Sequence, residues 1–286
     1  MLCQLKYFLI IFGAGLAGCA HPMPPVDSFS RAQEKFIKIC REELHYPVVI
    51  KNFPNTLWIY LPIEDHFFDP KPPAKSSAAP PPQEQQSLQA LDVHFENKNF
   101  IITYQVKAAQ QPPVESTTVY NEEFLRKQQN IQMAILRSFG DVPSTASQDK
   151  KIPDFFMVIF ADVKRDMEFK TLFYFEDFRR AFANPPGLDG EEYVKRAIID
   201  LAEEPLIAGD YEGKHLLMEN ISWPEFLRRQ MAHRIKFKYQ QSDFKPGPDT
   251  EKELRTIAQE TLRVYDFKDF NAVILQDYSK ISTLRP

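Results

Sequence analysis

Residues 154–175 read DFFMVIFADVKRDMEFKTLFYF. The part 154–162 is almost wholly apolar, which is typical of a strand that is buried on both faces. The part 167–175 alternates polar and apolar residues, and the charged residues 164–166 form a short connection between the two parts. The stretch therefore predicts an antiparallel hairpin whose first strand lies in the interior of the protein.

A helix with one apolar face precedes this hairpin. Residues 122–139 carry apolar side chains at helical spacing, and Gly140 is a plausible end of that helix. The same order occurs earlier in the chain, where a predicted helix at 30–45 precedes two β-rich runs at 48–50 and 56–61. The two helix–strand–strand units share no residue-level identity, so we do not predict a true repeat.

The rest of the chain is predicted to be mostly helical after residue 176. Strands alternating with helices, and hairpins in place of crossovers, favour an α+β fold in which helices pack on antiparallel sheets. The further predicted elements are a strand at 98–107, helices at 176–183, 191–202, 223–239 and 250–264, and a final strand at 270–275.

Polar, proline-rich stretches suggest how the chain is divided. Residues 69–90 contain a run of Pro, Ser and Gln that has little to bury, so we expect a disordered insertion; a partner-binding proline-rich motif is the alternative. Residues 108–118 are a second polar linker. These features predict an α+β module at 29–107 and a second module at 119–286.

The amino terminus carries a short apolar segment behind one basic side chain, Lys6. The apolar run 7–17 is shorter than the roughly 20 residues that a membrane-spanning helix needs, but it has the length of the apolar part of a signal peptide. It ends in Leu16-Ala17-Gly18-Cys19, and a proline-rich stretch follows, so 19–28 is predicted to be a tether.

This ending resembles the lipobox of bacterial prolipoproteins, which has an aliphatic residue, two small residues and a cysteine. The resemblance covers residues 1–19 and implies that 1–18 are removed and that lipid is attached to the Cys19 thiol. A buried apolar helix or an uncleaved anchor explains neither the small residues before Cys19 nor the prolines after it. Ala20 stands where an acidic residue retains some lipoproteins in the inner membrane, which slightly favours the outer membrane.

Composition and motifs narrow the function of the body. A hydrophobic content of 43%, a charged content of 26% and a net charge of −4 are ordinary for a globular protein and give no indication of nucleic-acid binding. The sequence has no glycine-rich phosphate loop, Gly-x-Ser-x-Gly elbow or His-Glu-x-x-His motif. We therefore expect a non-enzymatic envelope lipoprotein that binds or assembles with another envelope protein, and no cofactor besides the lipid. The alternatives are an anchored hydrolase acting on cell-wall or lipid material and a carrier of a hydrophobic ligand.

One cluster of side chains contains the residue types that bind divalent metal ions. Glu64, Asp65, His66 and Asp69 offer oxygen and imidazole ligands to a divalent ion if the loop curls around it. Four solvated residues at the start of a proline-rich loop explain the same pattern.

The predicted helix at 223–239 combines an apolar stripe with a row of cations. This face suits an anionic lipid surface or an acidic partner, although a solvated face above a core-facing stripe has the same pattern. The basic residues of the candidate face are Arg228, Arg229, Arg234 and Lys238.

Other reactive side chains are predicted to be structural. Cys40 lies on the apolar stripe of the helix at 30–45, and it is the one cysteine left after Cys3 is removed and Cys19 is lipidated, so we predict core packing and no intramolecular disulfide. Strand aromatics such as Trp58 and Tyr60 are more often core than sugar-stacking surface. The carboxylates of Asp266, Asp269 and Asp277 are candidates for acid–base work or, more simply, for element ends.

Overall fold

The computed structural model describes residues 28–71, 83–111, 118–142, 152–183, 185–240 and 249–278. Within these ranges the chain forms six α-helices and three sheets in which most neighbouring strands are antiparallel, so the predicted α+β fold is confirmed. The predicted leader and lipobox, and all of the predicted tether except residue 28, lie outside the described residues.

The helices and strands have the following bounds. The helices are α1 Ser28–Lys38, α2 Glu122–Phe139, α3 Phe175–Ala181, α4 Gly190–Arg196, α5 Trp223–Gln240 and α6 Thr250–Val264. The strands are β1 Val49–Asn52, β2 Thr56–Ile63, β3 Phe68–Pro70, β4 Gln83–Glu96, β5 Asn99–Gln111, β6 Thr118–Tyr120, β7 Phe155–Asp162, β8 Met167–Tyr174, β9 Ile198–Glu203 and β10 Ala272–Asp277.

The largest sheet has the strand order β1-β2-β7-β8-β9. The predicted hairpin is β7–β8, with Asp162 opposite Met167 at its turn, and the earlier predicted hairpin is β1–β2. Strands β2 and β7 join the two hairpins by pairing in parallel over their whole lengths. Every residue of both central strands is buried, which confirms the expectation from the apolar run of β7.

The central sheet is covered on both faces because β7 sends apolar side chains to each. Phe156, Val158 and Phe160 belong to a core with α1 and α2, which we call the α1/α2 face. Phe155, Met157 and Ile159 belong to a second core with α5 and α6, the α5 face. The three-stranded sheet β10-β5-β4 adds Phe100 and Ile102 to this second core.

The two helix–strand–strand units are not related by symmetry. Strand β1 is antiparallel to β2, and β2 is parallel to β7, so the equivalent strands β1 and β7 run in opposite directions. Helices α1 and α2 nevertheless pack on the same face of the sheet. Two copies of one unit that follow each other across a sheet, with their helices on one face, would need parallel equivalent strands.

The predicted helix at 191–202 is wrong in its second half. Helix α4 ends at Arg196, and residues 198–203 form β9, which pairs with β8. The Ile198-Ile199 pair has high β propensity, and pairing with an existing strand outweighs the helical spacing of the apolar residues in this segment.

Strands also extend into the proline-rich segments. Strand β4 begins at Gln83, inside the insertion predicted at 69–90, and β5 runs to Gln111, inside the linker predicted at 108–118. The reason is that β4 and β5 pair through their backbones, which polar side chains do not prevent. Both larger sheets take strands from each of the predicted modules 29–107 and 119–286, since β2 lies beside β7 and β5 beside β10.

Phe124 of α2 is the centre of an aromatic cluster on the α1/α2 face. Its side chain is fully buried, and its ring centroid lies 4.8 Å from that of Phe67, 5.1 Å from Phe169 and 5.5 Å from Phe160. The ring therefore ties α2 to β7 and β8.

We expect Phe124→Ala to lower the free energy of unfolding by about 3–5 kcal/mol, because it leaves a cavity in a rigid cluster. The matched control is Leu125→Ala on the same helix, where the side chain is 43% exposed and the change should be within about 1 kcal/mol. Urea denaturation followed by tryptophan fluorescence measures both. Equal effects of the two substitutions would contradict this account of the core.

Candidate functional site

The four predicted metal ligands do not meet at one point. Each carboxylate already has a partner, and within the described residues no group of three or more His, Cys, Asp or Glu side chains is placed to hold a metal ion. The pairs are Glu64 with Lys164 at 2.6 Å, Asp65 with Lys127, and Asp69 with His66 at 2.5 Å and Asn121 at 2.9 Å.

The side chains that we predicted to be structural have the following places in the fold. Cys40 is fully buried, and burial raises the pKa of its thiol to about 12, so it is not a nucleophile near neutral pH. Trp58 and Tyr60 belong to the core of the α5 face. Asp266 and Asp269 lie in the connection between α6 and β10, where they pair with Lys268 and Lys98, and Asp277 is the last residue of β10.

Helix α5 has the predicted amphipathic character, but its cations do not form one face. The apolar stripe of Phe226, Leu227, Met231 and Ile235 is fully buried. Arg234 is 13% exposed, pairs with Glu192, and lies with Lys238 in a depression between α4, α5 and α6. Arg228 and Arg229 lie on the other side of α5 and share the carboxylate of Glu225.

A groove of about 530 Å³ runs between α5 and the β8–β9 end of the central sheet; we call it the α5 groove. Its apolar residues include Met157, Leu172, Ile198 and Ala232, and its permanent cations are Lys170, Arg228, Arg229 and Lys236. We call the apolar residues the floor of the groove and the cations of α5 its basic wall. The combination suits a ligand with apolar and acidic groups.

Strand β9 borders this groove and is an edge of the central sheet. The backbone N–H of Glu204 donates to the carbonyl of Asp166 at 2.7 Å. Because the backbone groups of a strand point to alternate sides, every second residue of β9 counted back from Glu204 bonds to β8. The N–H and C=O groups of Ile199, Leu201 and Glu203 therefore point away from β8. Across the described residues, none of these three has another backbone partner.

The outer edge of β9 lacks several devices by which proteins protect such strands. It contains no proline, lysine or bulge, and its pairing with β8 is continuous. The side chains of Ile199 and Leu201 are 36% and 42% exposed. An exposed apolar edge with free backbone groups is able to accept another strand.

A buried chain of charges lies beside the groove. Lys170 of the groove pairs with Glu168, whose carboxylate is wholly buried, and the Nε2 atom of His215 lies 2.6 Å from the other oxygen of Glu168. The Nδ1 atom of His215 contacts Asp210. Basic and acidic side chains thus alternate from Lys170 in the groove to Asp210 in the loop at residues 204–222. Tyr60 holds that loop, because its hydroxyl donates to the carbonyl of Asp210 at 2.6 Å.

The protonation of this chain follows from its hydrogen bonds. Burial opposes the charged form of His215, but hydrogen bonds to Asp210 and Glu168 outweigh it, and the pKa of His215 is raised. Burial likewise opposes ionisation of Asp210, yet hydrogen bonds from the ring and backbone N–H groups of His215 and from the backbone of Glu212 lower its pKa. The raised pKa of His215 favours the imidazolium form of a ring that lies between two carboxyl groups.

This arrangement fixes the loop at residues 204–222 to strand β8, and His215 is not placed to act as a catalytic base. Both ring nitrogens of His215 bind carboxylates, so the ring has no free lone pair to accept a proton from a substrate. Sequence reasoning missed the cluster because Glu168 and His215 are 47 residues apart and form no short motif. The alternating pattern of β8 does place Glu168 and Lys170 on one face, which is the only local signal.

Comparisons with protein families, with curated proteins and with solved structures find no match for this chain. In the part of the chain that the structure describes, no helix has the length and apolar content needed to cross a membrane. The α5 groove and the β9 edge are the two surface features of the described residues that suit a ligand or a partner.

We expect His215→Gln to lower the free energy of unfolding by roughly 2–4 kcal/mol near pH 6, because Glu168 and Asp210 lose their charged partner. The pKa of His215 is raised above 6.5, so its stabilisation is complete below that pH and is lost as the pH rises through the raised value. The deficit of the variant should therefore shrink as the pH rises from 6 through the raised pKa of His215.

Urea denaturation across this pH range measures the effect. The control is His94→Gln, a histidine whose side chain is 42% exposed, which should leave the pH profile of the wild type unchanged. A loss of unfolding free energy in His215→Gln that does not change with pH would rule out stabilisation by the charge on His215.

Proposed function

We propose that this chain is a lipid-anchored envelope protein whose body is a non-enzymatic docking module. The lipobox Leu16-Ala17-Gly18-Cys19 supports the anchor, and Ala20 favours the outer membrane. The observation that carries the docking role is the open edge of β9 beside the α5 groove. The partner is another envelope protein, which contributes an extended segment as an added strand.

Strand addition suits this edge for three reasons. The outward N–H and C=O groups of Ile199, Leu201 and Glu203 provide main-chain hydrogen bonds, which give affinity without regard to sequence. The exposed side chains of Ile199 and Leu201 offer apolar surface beside the new strand. The α5 groove offers room for its other side chains.

The two alternative functions have less support. A hydrolase of the kind considered needs carboxylates that converge in a cleft, and among the described residues Asp200 is the one carboxylate that lines the α5 groove. A smaller cleft of about 260 Å³ is lined by Asp154 and Glu176, but Asp154 accepts a hydrogen bond from Trp223 and Glu176 pairs with Arg179. A carrier needs an enclosed apolar cavity, whereas this groove is open and has a basic wall.

The anchor predicts a single lipidation site. Cys19→Ser should abolish incorporation of a clickable palmitate analogue and release the protein from the membrane fraction, because Cys40, the other cysteine of the predicted mature chain, is fully buried. Cys3→Ser is the control, since that residue lies in the leader and its loss should change neither readout. Lipid labelling of Cys19→Ser, or an unlabelled wild type, would refute the anchor.

Photo-crosslinking tests the docking edge. A benzophenone amino acid at position 201 should yield an adduct with one envelope protein in intact cells, whereas the same group at position 125, where Leu125 is 43% exposed against 42% for Leu201, should not. Ile199→Pro removes an outward N–H and should reduce the adduct about tenfold or more, while Ile199→Ala keeps the N–H and should reduce it less.

The proline sits on an edge position where the N–H has no partner within the sheet, so the fold is expected to tolerate it. Unchanged thermal unfolding of the variant verifies that it does. An adduct that forms equally from positions 125 and 201, or that survives Ile199→Pro at full yield, would overturn strand addition at β9.

A further inference from the structure

The α5 groove determines which side chains an added strand can carry. Opposite residues in the β8–β9 pair share a face, and Leu172 and Lys170, which line the groove, lie opposite Ile198 and Asp200. Leu201 lies opposite Phe169, which belongs to the α1/α2 core. The side chains of Ile199 and Leu201 therefore lie on the α1/α2 face, and those of Ile198 and Asp200 face α5.

A strand added to β9 continues this alternation, since its side chains point in turn to the two faces of the sheet. On the α1/α2 face they extend the exposed apolar surface of Ile199 and Leu201. On the α5 face they meet the wall of the groove, where Arg229, His233 and Lys236 lie at helical spacing on one side of α5.

The cations of the groove are not equally available to a partner. Lys170 is held by Glu168, and Arg228 is held by Glu225 and by the carbonyl of Val93. Arg229 shares Glu225, and its second contact, with Glu219, is long at 3.6 Å. Among the described residues the exposed Lys236 makes no ion pair, so it is the strongest free cation of the wall.

Burial and two neighbouring cations act together on His233 of this wall. The pKa of His233 is lowered by burial and by the neighbouring cations Arg234 and Lys236, and Asp200 opposes this only in part. A carboxylate that enters beside Lys236 is thus attracted, whereas another ammonium or guanidinium is repelled.

We infer that the segment that docks on β9 alternates apolar residues with Asp or Glu, and that Lys236, supported by Arg229, reads its acidic side chains. This inference rests on the strand addition proposed above. A second copy of the chain fits poorly, because two β9 edges related by a two-fold axis would bring two α5 walls of like charge together.

Peptide binding to the full-length lipidated protein in detergent tests the inference. The probes are fluorescein-labelled peptides of about eight residues, the length of an average strand or slightly more, in which Val or Ile alternates with Glu, with Lys or with Ser. We expect fluorescence anisotropy to show that the Glu peptide binds about tenfold or more tightly than the Ser peptide, that the Lys peptide binds weakest, and that added salt removes the preference.

Lys236→Glu should weaken binding of the Glu peptide about tenfold or more and improve binding of the Lys peptide, while Lys236→Arg should keep the preference of the wild type. The matched control is Lys214→Glu, another exposed lysine that lies outside the groove and whose side chain is 77% exposed; it should change neither affinity. Ile199→Pro should weaken all three peptides, because it removes a main-chain bond that they share.

The outcomes separate this inference from the docking proposal. Equal affinities for the Glu and Ser peptides, with Ile199→Pro still weakening both, would overturn the acidic preference and leave strand addition intact. If the Glu peptide binds the Ile199→Pro variant as tightly as the wild type, it does not bind by adding a strand to β9, and the docking proposal is contradicted as well. Lys236-dependent binding of phosphatidylglycerol vesicles without peptide binding would overturn the inference in favour of a lipid, and peptide-independent dimers lost in Ile199→Pro would do so in favour of a second copy.

Discussion

The burial of β7 on both faces is the constraint on which the rest of the structure depends. A strand that reads FFMVIFAD exposes apolar side chains in two directions, so the sheet around it is stable only if each face is covered. Helices α1 and α2 cover one face, and α5, α6 and the sheet β10-β5-β4 cover the other. The parallel neighbour β2, buried along its whole length, completes this interior within the plane of the sheet.

The same requirement explains why the groove lies where it does. The buried stripe of α5 covers the centre of the sheet, where Phe155 stacks on Phe226 with ring centroids 4.6 Å apart. Strand β9 is the outermost strand, and covering it is not needed to bury β7. The polar side of α5 therefore faces the edge of the sheet, and Lys236 and Arg229 line the space that remains.

Local patterns predict the helices and six of the strands, but not β3, β4, β6 and β9 and not the long-range pairing. The hairpin β7–β8, helix α2 and helix α5 follow from periodicity within each segment, and so does the core position of Cys40. The segment of β9 is predicted to be helical because Val194, Ala197, Ile198 and Leu201 also fit helical spacing, and only pairing with the edge of β8 decides between helix and strand. The parallel pairing of β2 with β7 and the contact of His215 with Glu168 join distant segments, and neither has a local signal.

Affinity and specificity are carried by different parts of the proposed docking surface. The backbone of β9 bonds to any extended chain, so by itself it cannot select a partner. Lys170 is the groove cation that lies on the sheet itself, but it is already paired with Glu168. His215 in turn binds the other oxygen of Glu168. The choice of partner therefore falls on the row of α5 that points to solvent, and above all on Lys236. Because that row lies outside the apolar stripe, its charges can change with little effect on the core, and a change there would alter the partner without altering the fold.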